Sequence, residues 1–545
     1  MKTLLLLFFC MVASAMNAQD ASIVRGNCTP VAETEAAASR AAVRRLPAIN
    51  QQWDAGKTYR QLVVLLSFSD TGFQAENAQE VYDSIFNTEG YNLRQGKGSV
   101  ADYFHEQSGG RLNLQFDVFG PYKVSTKAQP YDSPTESTRN YGTGPMREAA
   151  SLMLAEQAGL DFTPYDWNGD GTIEQVIYVY AGYCGNQNST KSFGHIWPNT
   201  GIFSAITTPD GKTISNYTCS GELWANNTSC GIGTICHEFT HSLGLPDIYP
   251  TSSSAGYSAV DEWDLMDGGN FTNYGWCPPN FSPLEKMLLG WLEPIELTEA
   301  ATINDMKPIS QGGEVYQVKH TDTEYLLLEN RQWDGWDLGV PGKGLVVYHV
   351  NYVATAWRGN TVNNVKGKPN YSLVHADDIS VYEDWFSLLM ARGVSSQNAV
   401  YQNTGRLNSW IFSSATYPWA TDSTDTVNDA LTDSSVPAAL MYNKNSAGSL
   451  LLQKPVTHIR QNADGTVSFR FMGGMKGDLN DDASITMADV VALTAIIALG
   501  GTDEQCQRAD MNGDGKVDVA DITSLQAIMA GAALPVSDEE TSESY

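Results

Sequence analysis

The stretch TICHEFTHSLGLPDIYP, from Thr234 to Pro250, limits the fold more than any other part of the sequence. Residues four apart lie on one face of an α-helix, so a helix here would present His237 and His241 side by side. Gly244 and Pro246 should end this helix, because glycine leaves the helical conformation easily and proline cannot donate the helical hydrogen bond. We therefore expect the chain to reverse after the second histidine and to bring Asp247 back toward it.

This spacing predicts a catalytic zinc site, which needs three protein ligands and one open position. The sequence predicts His237, His241 and Asp247 as zinc ligands, with Glu238 as the general base beside them. Glu262 and Asp264, in the nearby stretch EWDLMDGG, remain alternatives for the third ligand. In the same stretch Met266 is predicted to form an apolar floor beneath the histidines, although a lone methionine is more often ordinary core packing.

Near the end of the chain, two segments superpose at an offset of 32 residues and indicate a tandem duplication. Each carries oxygen ligands at positions 1, 3, 5 and 12 of a calcium loop, with a backbone carbonyl at position 7. The predicted ligands are Asp478, Asn480, Asp482, Ser484 and Asp489 in the first loop, and Asp510, Asn512, Asp514, Lys516 and Asp521 in the second. Ala483 replaces the usual glycine of the first loop, so we expect a weaker site there.

A third acidic stretch, DWNGDGTIE, precedes a predicted strand instead of a helix. Its predicted calcium ligands are Asp166, Asn168, Asp170, Thr172 and Glu174. The alternative is a plain Asp-Gly turn.

The chain divides into segments that differ in their sequence patterns. Residues 1–18 are predicted to be a signal peptide and 19–57 a pro-segment or linker, in which Cys28 is a candidate for holding the zinc site latent. Buried strands and helices alternate in 58–295, which predicts an α/β domain. Short alternating runs in 296–472 predict a β-sandwich, 474–533 hold the duplicated loops, and 534–545 form an acidic tail.

Composition narrows the class of protein further. The formal net charge of −29 makes nucleic acid and anionic membranes poor partners and favours bound cations. The apolar run near the start is too short to cross a bilayer, and we find no later run that is long enough. Five cysteines (Cys184, Cys219, Cys230, Cys236 and Cys277) fall near the histidines, where one or two disulfides are expected in an oxidising compartment, with the pairing left open.

HExxHxxGxxD at His237–Asp247, followed by WDLM as a Met-turn, resembles the immune inhibitor A family of secreted bacterial metallopeptidases, a metzincin-like group. The likeness extends over about 60–472, through stretches such as GSVADYFHEQSGG, SPLEKMLLGWLEP and PGKGLVVYHV. It implies a metzincin-like α/β fold, zinc at His237, His241 and Asp247, and hydrolysis of peptide bonds in proteins with Glu238 as the base.

The duplicated calcium loops resemble the type I dockerin module, a small α-helical domain. That resemblance implies structural calcium and a cohesin-bearing scaffold partner, recognised through Met487 and Ala488 and through Val519 and Ala520. The alternative is that the module only stabilises the C-terminus.

The sequence as a whole therefore predicts a secreted multidomain protein, with association at the cell surface left open. Its domains would be an α/β metzincin-like zinc peptidase, an all-β sandwich and a dockerin-like calcium-binding domain. The expected function is zinc-dependent endopeptidase activity. The alternative is a catalytically inactive adhesion or scaffold-binding protein, which would expose aromatic side chains such as Trp333, Trp336, Trp357 and Trp385 on the sandwich.

Overall fold

The computed structural model describes residues 53–187, 189–252, 258–365, 367–378, 415–420, 427–480 and 485–530. The predicted signal peptide, most of the pro-segment with Cys28, and the acidic tail lie outside these residues. So do Trp385 and two of the predicted calcium ligands, Asp482 and Ser484.

The first part of the chain forms a five-stranded mixed sheet with the strand order β2-β1-β3-β5-β4. Neighbouring strands run parallel except at the edge, where β4 is antiparallel to β5. The strands are β1 (Thr58–Ser67), β2 (Asn113–Lys123), β3 (Val176–Tyr183), β4 (Asn199–Thr207) and β5 (Thr213–Leu223). The helices of this part are α1 (Ala78–Asn87), α2 (Val100–Gln107), α3 (Thr143–Glu156), α4 (Gly233–Ser242) and α5 (Pro283–Leu288).

Both faces of this sheet are covered, which explains why its central strands are continuous apolar runs. Successive side chains of a strand point to opposite faces. Val63 and Leu65 therefore join the core that includes α2 and α4, whereas Leu62 and Val64 join the core under α3. The side of the sheet that holds α4 is thus separated from α3 by a full layer of buried strands.

The second part of the chain contains two larger sheets. One has the order β11-β10-β9-β8-β6 and the other β14-β15-β7. The strands are β6 (Ile295–Glu296), β7 (Ala301–Met306), β8 (Tyr316–Lys319), β9 (Glu324–Arg331), β10 (Gly344–Asn351), β11 (Tyr371–Leu373), β12 (Trp419–Ala420), β13 (Val427–Asn428), β14 (Val456–Gln461) and β15 (Val467–Phe471). A short helix, α6 (Ala354–Gly359), lies between β10 and β11.

Strand β10 belongs to two hydrophobic cores. Leu345 and Val347 pack in the core shared by the two sheets of the second part. Val346, Tyr348 and Val350 pack instead in the core that contains helix α4. The second part of the chain is therefore packed directly against the side of the first sheet that carries the histidines.

The last described segment forms three helices, α7 (Met487–Leu499), α8 (Asp503–Ala509) and α9 (Val519–Met529). Leu493 and Leu525 are fully buried between them. Across the described residues, each helix is too short or too polar to cross a membrane.

Candidate metal centre

Helix α4 is held in place at both ends. At its start, a Cβ on Gly233 would lie 2.1 Å from the carbonyl oxygen of Asn270, so only glycine allows this close approach. After its last turn, Gly244 takes a φ of +110°, which lets the chain reverse as predicted. The reversal brings Asp247 to the face of the helix that carries both histidines.

Three side chains converge at this point. Asp247 Oδ1 lies 3.3 Å from His237 Nε2 and 3.1 Å from His241 Nε2. One ligand atom from each of these three residues lies within 4.8 Å of the other two, the one such cluster of His, Cys, Asp and Glu side chains among the described residues. All three side chains are almost completely buried.

The two imidazoles are oriented so that each Nε2 faces the Asp247 carboxylate. His237 Nδ1 lies 2.8 Å from the carbonyl oxygen of Leu265, and His241 Nδ1 lies 2.8 Å from that of Leu245. A carbonyl oxygen only accepts hydrogen bonds, so each Nδ1 carries its proton and each Nε2 presents a lone pair.

This arrangement fits a zinc ion. Lone pairs on the two Nε2 atoms and on the Asp247 carboxylate would repel one another at these distances unless a cation lay among them. Ligands about 2.0–2.1 Å from a tetrahedral zinc stand roughly 3.3–3.4 Å apart, close to the two N···O distances observed. The donor set of two imidazoles and one carboxylate is also one that zinc accepts.

The charges around the histidines favour a cation as well. Burial lowers the pKa of His237, but the protonated ring can donate a hydrogen bond from Nε2 to the Asp247 carboxylate, and this bond and the charge of Glu238 outweigh burial and raise the pKa overall. A positive charge is therefore stabilised at this point of the protein interior.

Glu238 lies next to the cluster and is held by the edge strand. The hydroxyl of Thr200, on β4, is 2.6 Å from the main-chain oxygen of Glu238 and 3.0 Å from its Oε2. Thr200 thereby links the predicted base to the strand that borders the site. No local pattern points to Thr200, because its contact spans 38 positions along the chain.

The predicted Met-turn lies against the same helix. Leu265, the residue before Met266, supplies the carbonyl oxygen that orients His237, and the oxygen of Met266 accepts a hydrogen bond from the nitrogen of Ile248 at 2.8 Å. Asp264 Oδ1 accepts from the nitrogen of Met266 at 2.8 Å. Asp264 therefore helps to fold the turn, while Asp247 lies with the histidines.

Asp247 is held by a residue that sequence reasoning missed. Asn360, directly after α6, accepts a hydrogen bond from the Asp247 nitrogen at 2.7 Å and donates one to Asp247 Oδ2 at 2.6 Å. The signal in the sequence is faint: an asparagine-rich stretch, RGNTVNN, with no periodicity that points to the metal site.

The acidic loop after Asp166 has the compact form of a cation-binding turn. Asp166 accepts hydrogen bonds from the nitrogens of Asp170 and Gly171, and Glu174 accepts from those of Trp167 and Asn168. Lys212 Nζ also lies 2.7 Å from Asp166 Oδ2, so an ammonium group already contacts the first predicted ligand.

The second loop of the duplicated segment folds in the same way. Asp510 accepts from the nitrogens of Asp514 and Gly515, and Asp521 accepts from those of Met511 and Asn512. In the first loop, Asp489 makes the corresponding bonds to Leu479 and Asn480. Asp478, Asp489 and Asp521 are buried, whereas Asn512 is half-buried and Asp514 is exposed.

Comparisons with known proteins identify two domains in the chain. Residues 60–290 match the family described as immune inhibitor A peptidase M6, catalytic domain, and residues 476–529 match the dockerin type I domain. The chain therefore contains a peptidase M6 domain and a type I dockerin domain, and both resemblances seen in the sequence are confirmed.

Two curated relatives are similar to part of the chain. Immune inhibitor A of Bacillus thuringiensis subsp. alesti is 28% identical over 274 residues, which cover 41% of this chain and 38% of that protein. The pre-pro-metalloprotease PrtV of Vibrio cholerae serotype O1 (strain M66-2) is 24% identical over 276 residues, which cover 43% and 30%. The chain thus spans less than two fifths of the length of these relatives.

Proposed function

We propose that the protein is a secreted zinc-dependent endopeptidase that hydrolyses peptide bonds in proteins. The observation that carries this proposal is the convergence of His237 Nε2, His241 Nε2 and Asp247 Oδ1, with Glu238 on the same helix. The peptidase M6 match and the metalloprotease named among the relatives support it.

His237, His241 and Asp247 would hold the zinc, and Glu238 would move the proton. Bound zinc supplies Lewis acidity, which lowers the pKa of a water to near 7 and polarises a substrate carbonyl. Glu238 would accept the proton from that water and deliver it to the departing amine. Thr200 keeps the Glu238 carboxylate turned toward the edge strand during this transfer.

We further propose an α/β metzincin-like fold for 58–295 and a β-sandwich for 296–472. The parallel sheet with one antiparallel edge strand supports the first, and the shared core of the two later sheets supports the second. Of the described tryptophans expected on an aromatic binding face, Trp336 and Trp357 are buried and Trp333 is exposed. This arrangement does not favour the alternative of a binding protein that uses an aromatic face.

The dockerin segment would bind structural calcium and tether the enzyme to a cohesin-bearing partner. Met487 and Val519 are 59% and 68% exposed, although both are apolar. They stand at equivalent positions of the two repeats, as a symmetric apolar contact requires. The module would then place the peptidase on a scaffold without changing its chemistry.

The experiment that tests the peptidase proposal compares casein hydrolysis by the full chain and by Glu238→Gln. Loss of a general base should lower kcat by roughly 10²–10⁴-fold, while zinc content and thermal unfolding stay near those of the wild type. Glu80→Gln, which changes an exposed glutamate on α1, is the matched control and should keep full activity. Full hydrolysis by Glu238→Gln, or by wild type stripped of zinc, would overturn the proposal.

A further inference from the structure

A short asparagine-rich segment of the second part of the chain binds the loop that carries Asp247. We define this segment as the asparagine clamp, comprising Asn360, Asn363 and Asn364. Asn363 Nδ2 donates to the oxygen of Ile248 at 2.9 Å. Asn364 accepts from the nitrogen of Ser252 at 3.0 Å and donates to Thr251 Oγ1 at 2.9 Å. Together with the two bonds from Asn360, the clamp contacts both ends of the stretch 247–252.

The clamp is itself anchored in the second part of the chain. Asn363 Oδ1 accepts hydrogen bonds from the nitrogens of Asn370 and Tyr371, at the start of β11. Val362 and Trp357 on either side of Asn360 are buried in the core that also contains α4. Asn360 has a φ of +53°, a left-handed conformation that asparagine tolerates better than most residues.

The two hydrogen bonds between Asn360 and Asp247 fix the orientation of the Asp247 carboxylate. Its Oδ2 receives the Asn360 amide hydrogen, which leaves Oδ1 directed at the two imidazoles. A neutral amide does this without cancelling the negative charge that the metal needs. A carboxylate that was free to rotate would spend part of its time with neither oxygen in place.

We propose that Asn360 is a positioning residue for the third metal ligand, so that the metal centre is completed by the part of the chain after residue 295. This inference rests on the proposed zinc function. The matched peptidase region, 60–290, supplies all three ligands but lacks the residue that orients one of them.

The test measures zinc affinity of the full chain by competition with a chromophoric chelator. Asn360→Gly removes the side chain and keeps the left-handed conformation available. Loss of a hydrogen-bond partner of a ligand typically weakens metal binding about 10–100-fold, and we expect a loss of this size. Asn364→Ala, which removes contacts to Thr251 and Ser252 without touching Asp247, is the control and should change zinc affinity less than about threefold.

Two results would overturn the inference: wild-type zinc affinity in Asn360→Gly, or an equal loss in Asn364→Ala. If metal-free Asn360→Gly and Asn364→Ala unfold at the same temperature, a difference in zinc affinity reflects the position of Asp247 and not a general loss of stability. A wild-type chain that binds no zinc at all would overturn the proposed function itself, which distinguishes the two failures.

An independent observation concerns two cysteines that lie close to the start of α4. The sulfur atoms of Cys184 and Cys230 lie 3.3 Å apart, and both residues are buried. Strand β5 aligns them, because the nitrogen of Cys184 donates to Leu223 O and that of Cys230 to Glu222 O. Gly221 leaves room for the sulfur, since a Cβ there would lie 2.8 Å from Cys184 Sγ.

We infer that Cys184 and Cys230 form a disulfide when the chain is exported. The two thiols would lose two protons and two electrons to a disulfide-bearing oxidant by thiol–disulfide exchange, and the oxidant would leave as two thiols. The bond would tie the end of β3 to the residues that precede α4. Burial raises the pKa of the Cys230 thiol, so later exchange with external thiols would be slow.

Intact-mass measurement of the full chain, exported and purified without reductant, tests this pairing. We expect a mass about 2 Da lower than after reduction, and protection of both cysteines from alkylation in denaturant. The double variant Cys184→Ser/Cys230→Ser should lose the shift, and Cys277→Ser should keep it. Alkylation of both cysteines before reduction, or a shift that survives the double variant, would overturn the pairing.

Discussion

The histidine–aspartate cluster and the second calcium loop, residues 510–521, are both candidate cation sites, but they are held together differently. Two of the groups that orient the cluster come from far along the chain: Leu265 is 28 positions from His237, and Asn360 is 113 positions from Asp247. In the calcium loop, the hydrogen bonds of Asp510 and Asp521 reach at most 10 positions. The cluster therefore depends on the whole fold, whereas the loop depends on its local sequence and on an ion to offset its carboxylates.

The acidic loop at 166–174 lies between these two cases. It shares the pattern DxNGDG and the same backbone hydrogen bonds with the second calcium loop, yet Lys212 reaches it from the turn directly before β5. Similar local sequences thus give similar turns, while a distant residue decides how much positive charge the turn already has.

The largest expected effect is that of calcium removal. A calcium chelator should expose α7 and α9 to amide hydrogen exchange at nearly the rate of an unfolded chain, because the loop carboxylates repel one another without a cation. Helix α4 should keep its protection, since packing against the rest of the fold holds it. Hydrogen-exchange mass spectrometry checks this, with added calcium as the control that restores protection. Equal loss of protection in α4 and α9 would contradict the comparison.

A matched pair of substitutions should separate the two acidic loops. Asp514→Ala and Asp170→Ala each remove the carboxylate at the same position of a loop with the pattern DxNGDG. We expect Asp514→Ala to abolish one tight calcium site in calorimetric titration and to leave casein hydrolysis unchanged. Asp170→Ala should remove a weaker site, because the Lys212 ammonium already lies against Asp166 in that loop. A tight site lost in Asp170→Ala instead would reverse this ranking.

Replacing Lys212 should have the smallest effect. Lys212→Met removes a partly exposed ion pair, so calcium affinity of the 166–174 loop should rise only about two- to fivefold. Calorimetry of this variant beside Lys191→Met, which changes an exposed lysine elsewhere, measures the difference.

The same substitution should alter the acid stability of the loop. Burial alone would raise the pKa of Asp166, but hydrogen bonds from Lys212 and from the Gly171 nitrogen lower it below the unfolded value. Its contribution to stability is therefore present above the ordinary aspartate pKa and is lost as the pH falls through the lowered one. Lys212→Met should reduce this loss in acid unfolding. An unchanged pH profile would show that the ion pair contributes nothing.

Local patterns in the sequence predicted much of the first sheet. Within the alternation of strands and helices predicted for 58–295, the apolar run at Gln61–Asp70 overlaps β1, and the helical spacing at Met146–Gly159 overlaps α3. The pattern of SPLEKMLLGWLEP indicates a helix that ends at Gly290, and α5 ends at Leu288, just before the chain turns at Gly290. These elements can be recognised in the sequence because hydrophobic periodicity and turn residues are signals that span only a few positions.

The convergence of His237, His241 and Asp247 was also predictable, since these residues lie within one helix and its turn. Thr200, Lys212 and Asn360 were not, because each acts on a residue far along the chain and none belongs to a periodic pattern. Only the folded structure brings these three residues to the side chains that they contact.

Anomalous diffraction at the zinc absorption edge, on crystals of the active full chain, tests the central claim most directly. The account predicts one zinc peak bonded to His237 Nε2, His241 Nε2 and an Asp247 oxygen, at about 2.0–2.2 Å from each. A fully active enzyme with no zinc peak between these residues, or with zinc bound to other side chains, would contradict it.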